Sequence, residues 1–313
     1  MIINTGQRTD IPAFFPEWFA NRLKEGYVCV RNPYNQSSVN KYMLNPQVVD
    51  AIGFCTKNPA PFFSYLDLVK DFGQYWYVTI TPYGKDIEPG VPDKKEVMES
   101  FKFFSKTVGI NCIGWRYDPI FVNEKYTVDF HIEAFTKMAE NLKGYTNHVV
   151  ISFIDIYEKV KKNFPDAMAV SAEDKIRLGQ EIIRIAKANN MVVKPCAEGD
   201  FLAKYGADCS GCMTVDMYEK AISAHLNVPR SNVKPARATC ACYLGADIGA
   251  YDTCRHFCKY CYANNDLSQV RINEKLHDVN SPFLIGGFRE GDIIHEANQK
   301  SWIDNQMSIF DLL

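Results

Sequence analysis

The sequence of 313 residues predicts an α/β fold: a (β/α) TIM-like barrel, complete or open, with a cysteine-rich region in its C-terminal part. Three observations predict it. Short β-prone runs alternate with helical stretches over residues 1–199. Several of those runs are almost continuously apolar, as expected where both faces of a parallel sheet are covered. Eight of the eleven cysteines fall between Cys196 and Cys261. A doubly wound sheet is the alternative architecture. The division falls into a barrel-like domain over 1–199 and a cysteine-rich region over 200–313 packed on the barrel mouth.

The elements follow in order. Met1 to Thr5, Tyr27 to Val30, Ala51 to Cys55, Tyr75 to Thr81, Cys112 to Trp115, His148 to Phe153 and Met191 to Lys194 read as strands. Pro16 to Lys24, Phe62 to Lys70, Lys94 to Thr107, Asp129 to Asn141 and Glu173 to Asn189 read as helices between them. Beyond Asp200, a helix is expected from Thr214 to His225, a loop from Val228 to Arg237 and a last helical piece around Trp302. Tyr75-Trp76-Tyr77 is expected to line a strand and pack against helices.

In such a barrel, polar residues just past the strand ends converge on one mouth. They are Arg8, Asp10, Asn32, Lys57, Asn58, Tyr83, Arg116, Asp118, Asp155 and Glu198. Their recurrence predicts a pocket for a polar, partly anionic small molecule. Arg8, Asp10, Lys57, Arg116, Asp118 and Glu198 are the candidate catalytic residues. The forked guanidinium of Arg8 or Arg116 suits a carboxylate or phosphate. Each arginine also has an ion-pair partner close by in sequence, Asp10 or Asp118.

A net charge of −2 gives no broad basic field, so nucleic acid is a poor partner on charge alone. No apolar run reaches membrane-spanning length, and the first residues lack the form of a signal peptide. A cytoplasmic protein is expected. In a reducing compartment, clustered cysteines point to metal or cluster ligation. Cys29, Cys55 and Cys112 lie apart and read as ordinary core residues.

The densest signal is Cys254-Arg255-His256-Phe257-Cys258-Lys259-Tyr260-Cys261-Tyr262-Ala263-Asn264. Three neighbouring thiolates can hold three irons of a [4Fe–4S] cube and leave the fourth open to a small ligand. A zinc site with His256 as fourth ligand is the alternative, although Cys254 and His256 stand closer together than zinc spacings usually allow. Cys196, Cys209, Cys212, Cys240 and Cys242 form a further set. Four of them can make a closed second site, either an iron–sulfur cluster or zinc. One arrangement uses Cys196, Cys212, Cys240 and Cys242; the other uses Cys209 and leaves Cys196 free. Asp247 and Gly249, just before the three-cysteine motif, and Tyr260 within it are candidate cofactor contacts; Gly249 is expected to permit a tight turn.

The three-cysteine run resembles the cluster motif of the radical S-adenosylmethionine superfamily, including the aromatic Tyr260 before the last cysteine. Its ending, Tyr260-Cys261-Tyr262-Ala263, is similar to that of photolyase-like and lyase-like members. The chain as a whole resembles the family labelled DUF1848. That likeness rests on Gln7-Arg8-Thr9-Asp10-Ile11-Pro12-Ala13-Phe14, Thr56-Lys57-Asn58-Pro59, Trp115-Arg116-Tyr117-Asp118-Pro119, Ser152-Phe153-Ile154-Asp155, Cys196-Ala197-Glu198 and Asp247-Ile248-Gly249. The superfamily resemblance implies a [4Fe–4S] cluster, S-adenosylmethionine, a small-molecule substrate and a reductant such as flavodoxin or ferredoxin. The motif departs from the superfamily in lying far from the N-terminus, and Gly286-Gly287-Phe288-Arg289-Glu290 only loosely echoes the superfamily's glycine-rich segment. The barrel is then either permuted or served by a C-terminal extension. Three other functions fit the same residues: photolyase-like nucleic-acid repair, an iron–sulfur electron carrier or sensor, and a zinc-stabilised binding protein. No nucleophile elbow, HExxH or P-loop pattern points to a hydrolase.

Overall fold

The computed structural model describes residues 1–229, 240, 242–243 and 245–304. The chain opens with β1 (Ile2–Asn4), α1 (Ile11–Phe14) and α2 (Pro16–Glu25), then β2 (Tyr27–Arg31), β3 (Ser38–Met43) and β4 (Ala51–Thr56). A 3-10 stretch, Ala60–Val69, precedes β5 (Gly73–Thr79), α3 (Lys94–Val108), β6 (Ile113–Ile120), α4 (Val128–Leu142) and β7 (His148–Phe153). There follow α5 (Glu158–Asn163), α6 (Ala172–Ala188), β8 (Val192–Pro195), α7 (Val215–Ile222), β9 (Ala246–Asp247), α8 (Leu267–Lys275) and β10 (Ile293–Glu296). The long helices start where the sequence offers caps: Asp93, Thr127 and Ser171 each accept a backbone N–H of the first turn.

Seven strands form one sheet in the order β8-β7-β6-β5-β4-β1-β9, and every neighbouring pair is parallel. Among the described residues no ladder joins β8 to β9, so the sheet has two edges and barrel closure is not formed there. The cysteine-rich part contributes β9 to this sheet, hydrogen-bonded beside β1.

Alternation along the strands sorts side chains to two faces. Ile52, Phe54, Trp76, Val78, Trp115 and Ile151 enter the main core with helix residues such as Phe101, Phe135 and Ile182. Phe54 stacks on Trp76 at 3.8 Å. Removing such a buried aromatic ring costs about 3–5 kcal/mol. Ala51, Tyr75, Tyr77 and Val150 form a second cluster with Cys212, Met213, Tyr218 and Cys242. Helix α7 packs on β5 at this second face. The cysteine-rich region therefore covers the sheet directly.

Three expectations need correction. Tyr27 to Val30 is a strand, but it leaves the main sheet: β2 pairs antiparallel with β3, which pairs parallel with β10. Val28 still buries into the main core while Cys29 joins Val39 and Phe283 in a separate small cluster. Asn32 follows this second sheet and caps its own turn, accepting N–H groups of Tyr34 and Asn35. Trp302 is not helical; it packs edge-on against Tyr243, and its N–H donates to Asp50, while Ile303 bridges Leu226. The loop expected from Val228 to Arg237 lies outside the described residues beyond 229.

Candidate functional site

Parallel strands place their C-terminal ends on one edge, and the sheet brings Arg8, Lys57, Arg116, Cys196 and Asp247 there from β1, β4, β6, β8 and β9. Arg8 donates to the Asp247 carboxylate, and its second arm donates to the Asp247 carbonyl at 2.8 Å. Asp247 also accepts the N–H of Gln7 at 3.2 Å. Burial raises the Asp247 carboxyl, while Arg8 and the N–H groups of Gln7 and Gly249 work against that rise. Gly249 does not adopt a left-handed turn, contrary to expectation. Its role is closeness: a Cβ there would stand 3.0 Å from Thr9 Cγ2.

The segment bearing Cys254, Cys258 and Cys261 is tied to these strand ends. Gly90 N–H donates to His256 O at 2.9 Å, and Lys259 N–H donates to Ile87 O at 3.0 Å. The Thr253 hydroxyl donates to that of Thr9 at 2.7 Å. Phe257 holds φ of +54°, an uncommon conformation for a bulky residue, between two of the cysteines. Asp10 organises the rest. One of its oxygens caps α1 through Ala13 N–H; the other accepts Lys57 N–H at 2.7 Å and lies 2.9 Å from His256 Nε2. The other ring nitrogen of His256 faces Gly90 O at 3.3 Å. Both ring nitrogens of His256 thus face oxygen atoms of Asp10 and Gly90.

Beside this loop lies a buried charge network that the sequence did not reveal. Glu88, with a side chain 0% exposed, pairs with Lys57 at 2.8 Å and with Lys94. It also accepts from Thr81 at 2.6 Å and from the Tyr260 hydroxyl. Burial alone would raise the Glu88 carboxyl; the two ammonium groups instead draw it down to about 2. Tyr260 is therefore committed to the interior, with its ring 5.5 Å from Lys57 Nζ. The sequence signal for Glu88 is slight, a lone acid in Ile87-Glu88-Pro89-Gly90.

All three motif thiols are pushed up by burial. Cys261 raises the other two further: Cys254 is raised by Cys261, Asp10 and Cys258, and Cys258, at about 12, by Glu88 and Cys261. Lys57 acts in the opposite direction on Cys258. Cys261 accepts Ala263 N–H at 3.3 Å. The adjoining Asn264 donates to Cys254 O at 2.8 Å, yet its buried Oδ1 has no partner among the described residues. Three cysteines from one loop with a nearby ammonium are the donor set that the cluster implied by the motif would use. Burial makes these thiols costly to ionise, a cost that binding of the cluster would have to offset.

The remaining predicted residues divide. Arg116 pairs with Asp118, and its Nη1 stands 3.8 Å from Cys212 Sγ. Cys212 and Cys242 bring their sulfurs to 3.2 Å, and Cys240 Sγ accepts Cys242 N–H at 3.4 Å. Glu198 sits at the C-terminal end of β7, where it accepts Phe153 N–H at 2.8 Å and pairs with Lys175 at 3.2 Å, fastening β7 to α6. Cys209 stands apart, its sulfur facing Ala207 O at 4.0 Å. Tyr83 is buried, donating to Pro119 O at 2.8 Å. Cys55, expected to be an ordinary core thiol, packs half-buried against the second hydrophobic cluster, and burial raises it to about 12. Among the described residues, no group of three or more His, Cys, Asp or Glu is set to close on a single metal ion.

A cavity of about 420 Å³ opens beside Arg8 and Gly249. Tyr251, Lys159, Arg31 and Arg289 also line it. Its size is that of a small-molecule site.

A family model described as a domain of unknown function (DUF1848) matches residues 2–263. The chain belongs to the DUF1848 family. The match spans the parallel sheet, the buried Lys57–Glu88 network and all three motif cysteines, and ends at Ala263. A search of the curated proteins gives no match. Within this DUF1848 chain, no helix among the described residues is long and apolar enough to cross a membrane.

Proposed function

We propose that this chain is an iron–sulfur enzyme that binds S-adenosylmethionine at a [4Fe–4S] cluster held by Cys254, Cys258 and Cys261, and cleaves it reductively to act on a small polar substrate. When bound, such a cluster supplies an open iron for the amino acid end of S-adenosylmethionine and one electron for its sulfonium. The observation that carries the reading is the gathering of three cysteines on one loop at the strand ends, Cys258 buried and Cys254 and Cys261 half-buried.

The other residues supply position and electrostatics. Lys57, held by Glu88, places a cation beside Cys258 and favours its ionised form. Asp10 aligns the loop through His256. Arg8, fixed by Asp247, forms one wall of the 420 Å³ cavity, which is the substrate pocket in this reading. Lys159 and Arg289 on its lining give that pocket a preference for a carboxylate- or phosphate-bearing molecule, whereas Arg31 is paired with Asp292. Strand order runs from β1 to β8 without the reversal of a doubly wound sheet, which supports an open barrel with this site at its mouth. A reducing cytoplasm and a low-potential donor of the flavodoxin or ferredoxin class complete the reading.

The test is product analysis. Anaerobic, reduced protein incubated with S-adenosylmethionine should form 5′-deoxyadenosine and methionine, and the Cys258→Ser variant should form neither. Reduced, cluster-loaded protein that leaves S-adenosylmethionine unbound and intact would remove the proposal.

A further inference from the structure

We infer that Cys196, Cys212, Cys240 and Cys242 hold a second iron–sulfur cluster, with Arg116 and Tyr218 as its hydrogen-bond donors. The site stands on its own residues; only its role, relaying an electron to the first cluster, rests on the function proposed above.

The four cysteines come from three separate segments. Cys196 follows β8, Cys212 precedes α7, and Cys240 and Cys242 precede β9. The sulfurs of Cys212 and Cys242 lie 3.2 Å apart, and Cys240 is joined to Cys242 through its N–H. Cys196 packs against the same buried cluster as Cys212, Cys240 and Cys242. Cys209 is excluded: its sulfur faces Ala207 O at 4.0 Å.

Two further groups are unexplained by a set of plain buried thiols. The Tyr218 hydroxyl is buried with no hydrogen-bond partner among the described residues. It occupies the space that Gly53 leaves on β4, where a Cβ would stand 2.5 Å from it, and it lies within electrostatic range of Cys55 and Cys242. A sulfide or thiolate acceptor would satisfy that donor. The Arg116 guanidinium, paired with Asp118, also points Nη1 at Cys212 Sγ, 3.8 Å away. A cation there favours the more negative, reduced form of a cluster.

As a relay, the second cluster takes one electron from a ferredoxin- or flavodoxin-class donor, which is oxidised. It returns to its oxidised state when that electron passes to the first cluster.

The experiment counts iron and acid-labile sulfide per full-length chain after anaerobic reconstitution, in wild type and three sets of substitutions. Wild type should hold about eight irons, and the Cys254→Ala/Cys258→Ala/Cys261→Ala chain about four, with a [4Fe–4S] EPR signal on reduction. The Cys212→Ser/Cys242→Ser chain should also hold about four, whereas Cys209→Ser should retain the full count. If wild type and the triple variant both hold about four, the first cluster fails while the second stands. A folded triple variant without iron overturns the inference, as does one zinc per chain that is lost only in Cys212→Ser/Cys242→Ser. Loss of four irons in Cys209→Ser overturns the ligand assignment. In the triple-variant background, Arg116→Gln should keep its iron and shift the midpoint potential downward; an unchanged potential overturns the role given to Arg116.

Discussion

Lys57 Nζ stands 2.8 Å from Glu88 Oε1, and the same ammonium faces the Cys258 thiol. A fully buried carboxylate thus holds the cation that the cysteine loop needs. Glu88→Gln would leave Lys57 and Lys94 as two buried cations without a counter-charge. Removing one partner of a buried pair costs about 3–5 kcal/mol. Lys57→Met leaves Glu88 paired with Lys94 and should cost less. Denaturant unfolding of the two variants should rank them in that order, and the reverse order would contradict the network described.

Acid should weaken the fold through two histidines away from the cysteines. His131 lies between the Tyr117 hydroxyl and Phe121 O, and burial lowers it to about 4. His148 meets the Tyr75 hydroxyl, and burial lowers it to about 3. The unfolded chain binds these protons first, near the ordinary histidine value of 6.5. Their neutral forms therefore contribute fully above that pH, and stability falls as pH drops from there toward 4 and 3. For His131 the loss is roughly 3 kcal/mol by pH 4. Unfolding free energies measured between pH 7 and 4.5 should show this slope, and His131→Gln should flatten it.

Gly90 is where the first sheet's loops touch the cysteine motif most closely. A Cβ there would overlap Arg255 O and stand 2.9 Å from His256 Cα. Gly90→Ala must push the motif backbone away from the strand ends. We expect the reconstituted variant to bind less than half the wild-type iron at the three-cysteine site, with a melting point lower by several degrees. Unchanged iron binding would show that the loop tolerates displacement.

The sequence made the parallel strands legible because β4, β5 and β7 are largely apolar on both faces. It misplaced β2, whose partners β3 and β10 carry polar, half-exposed or exposed residues and have no clear strand signal. The motif of Cys254, Cys258 and Cys261 was local and therefore readable. The choice of Cys196 over Cys209 proposed above was not, since it depends on tertiary packing of segments distant in sequence. Glu88 escaped notice for the same reason: a lone acid has no periodicity, and only its tertiary neighbours give it a role. Glu198 had the right position in the chain, but Lys175 on α6 claims it.

The most direct measurement is EPR on anaerobically reconstituted, reduced protein, recorded with and without S-adenosylmethionine. The account predicts a [4Fe–4S] signal that changes shape on addition, in wild type and in Cys212→Ser/Cys242→Ser but not in Cys258→Ser. A signal from an intact cluster at Cys254, Cys258 and Cys261 that ignores S-adenosylmethionine would contradict it.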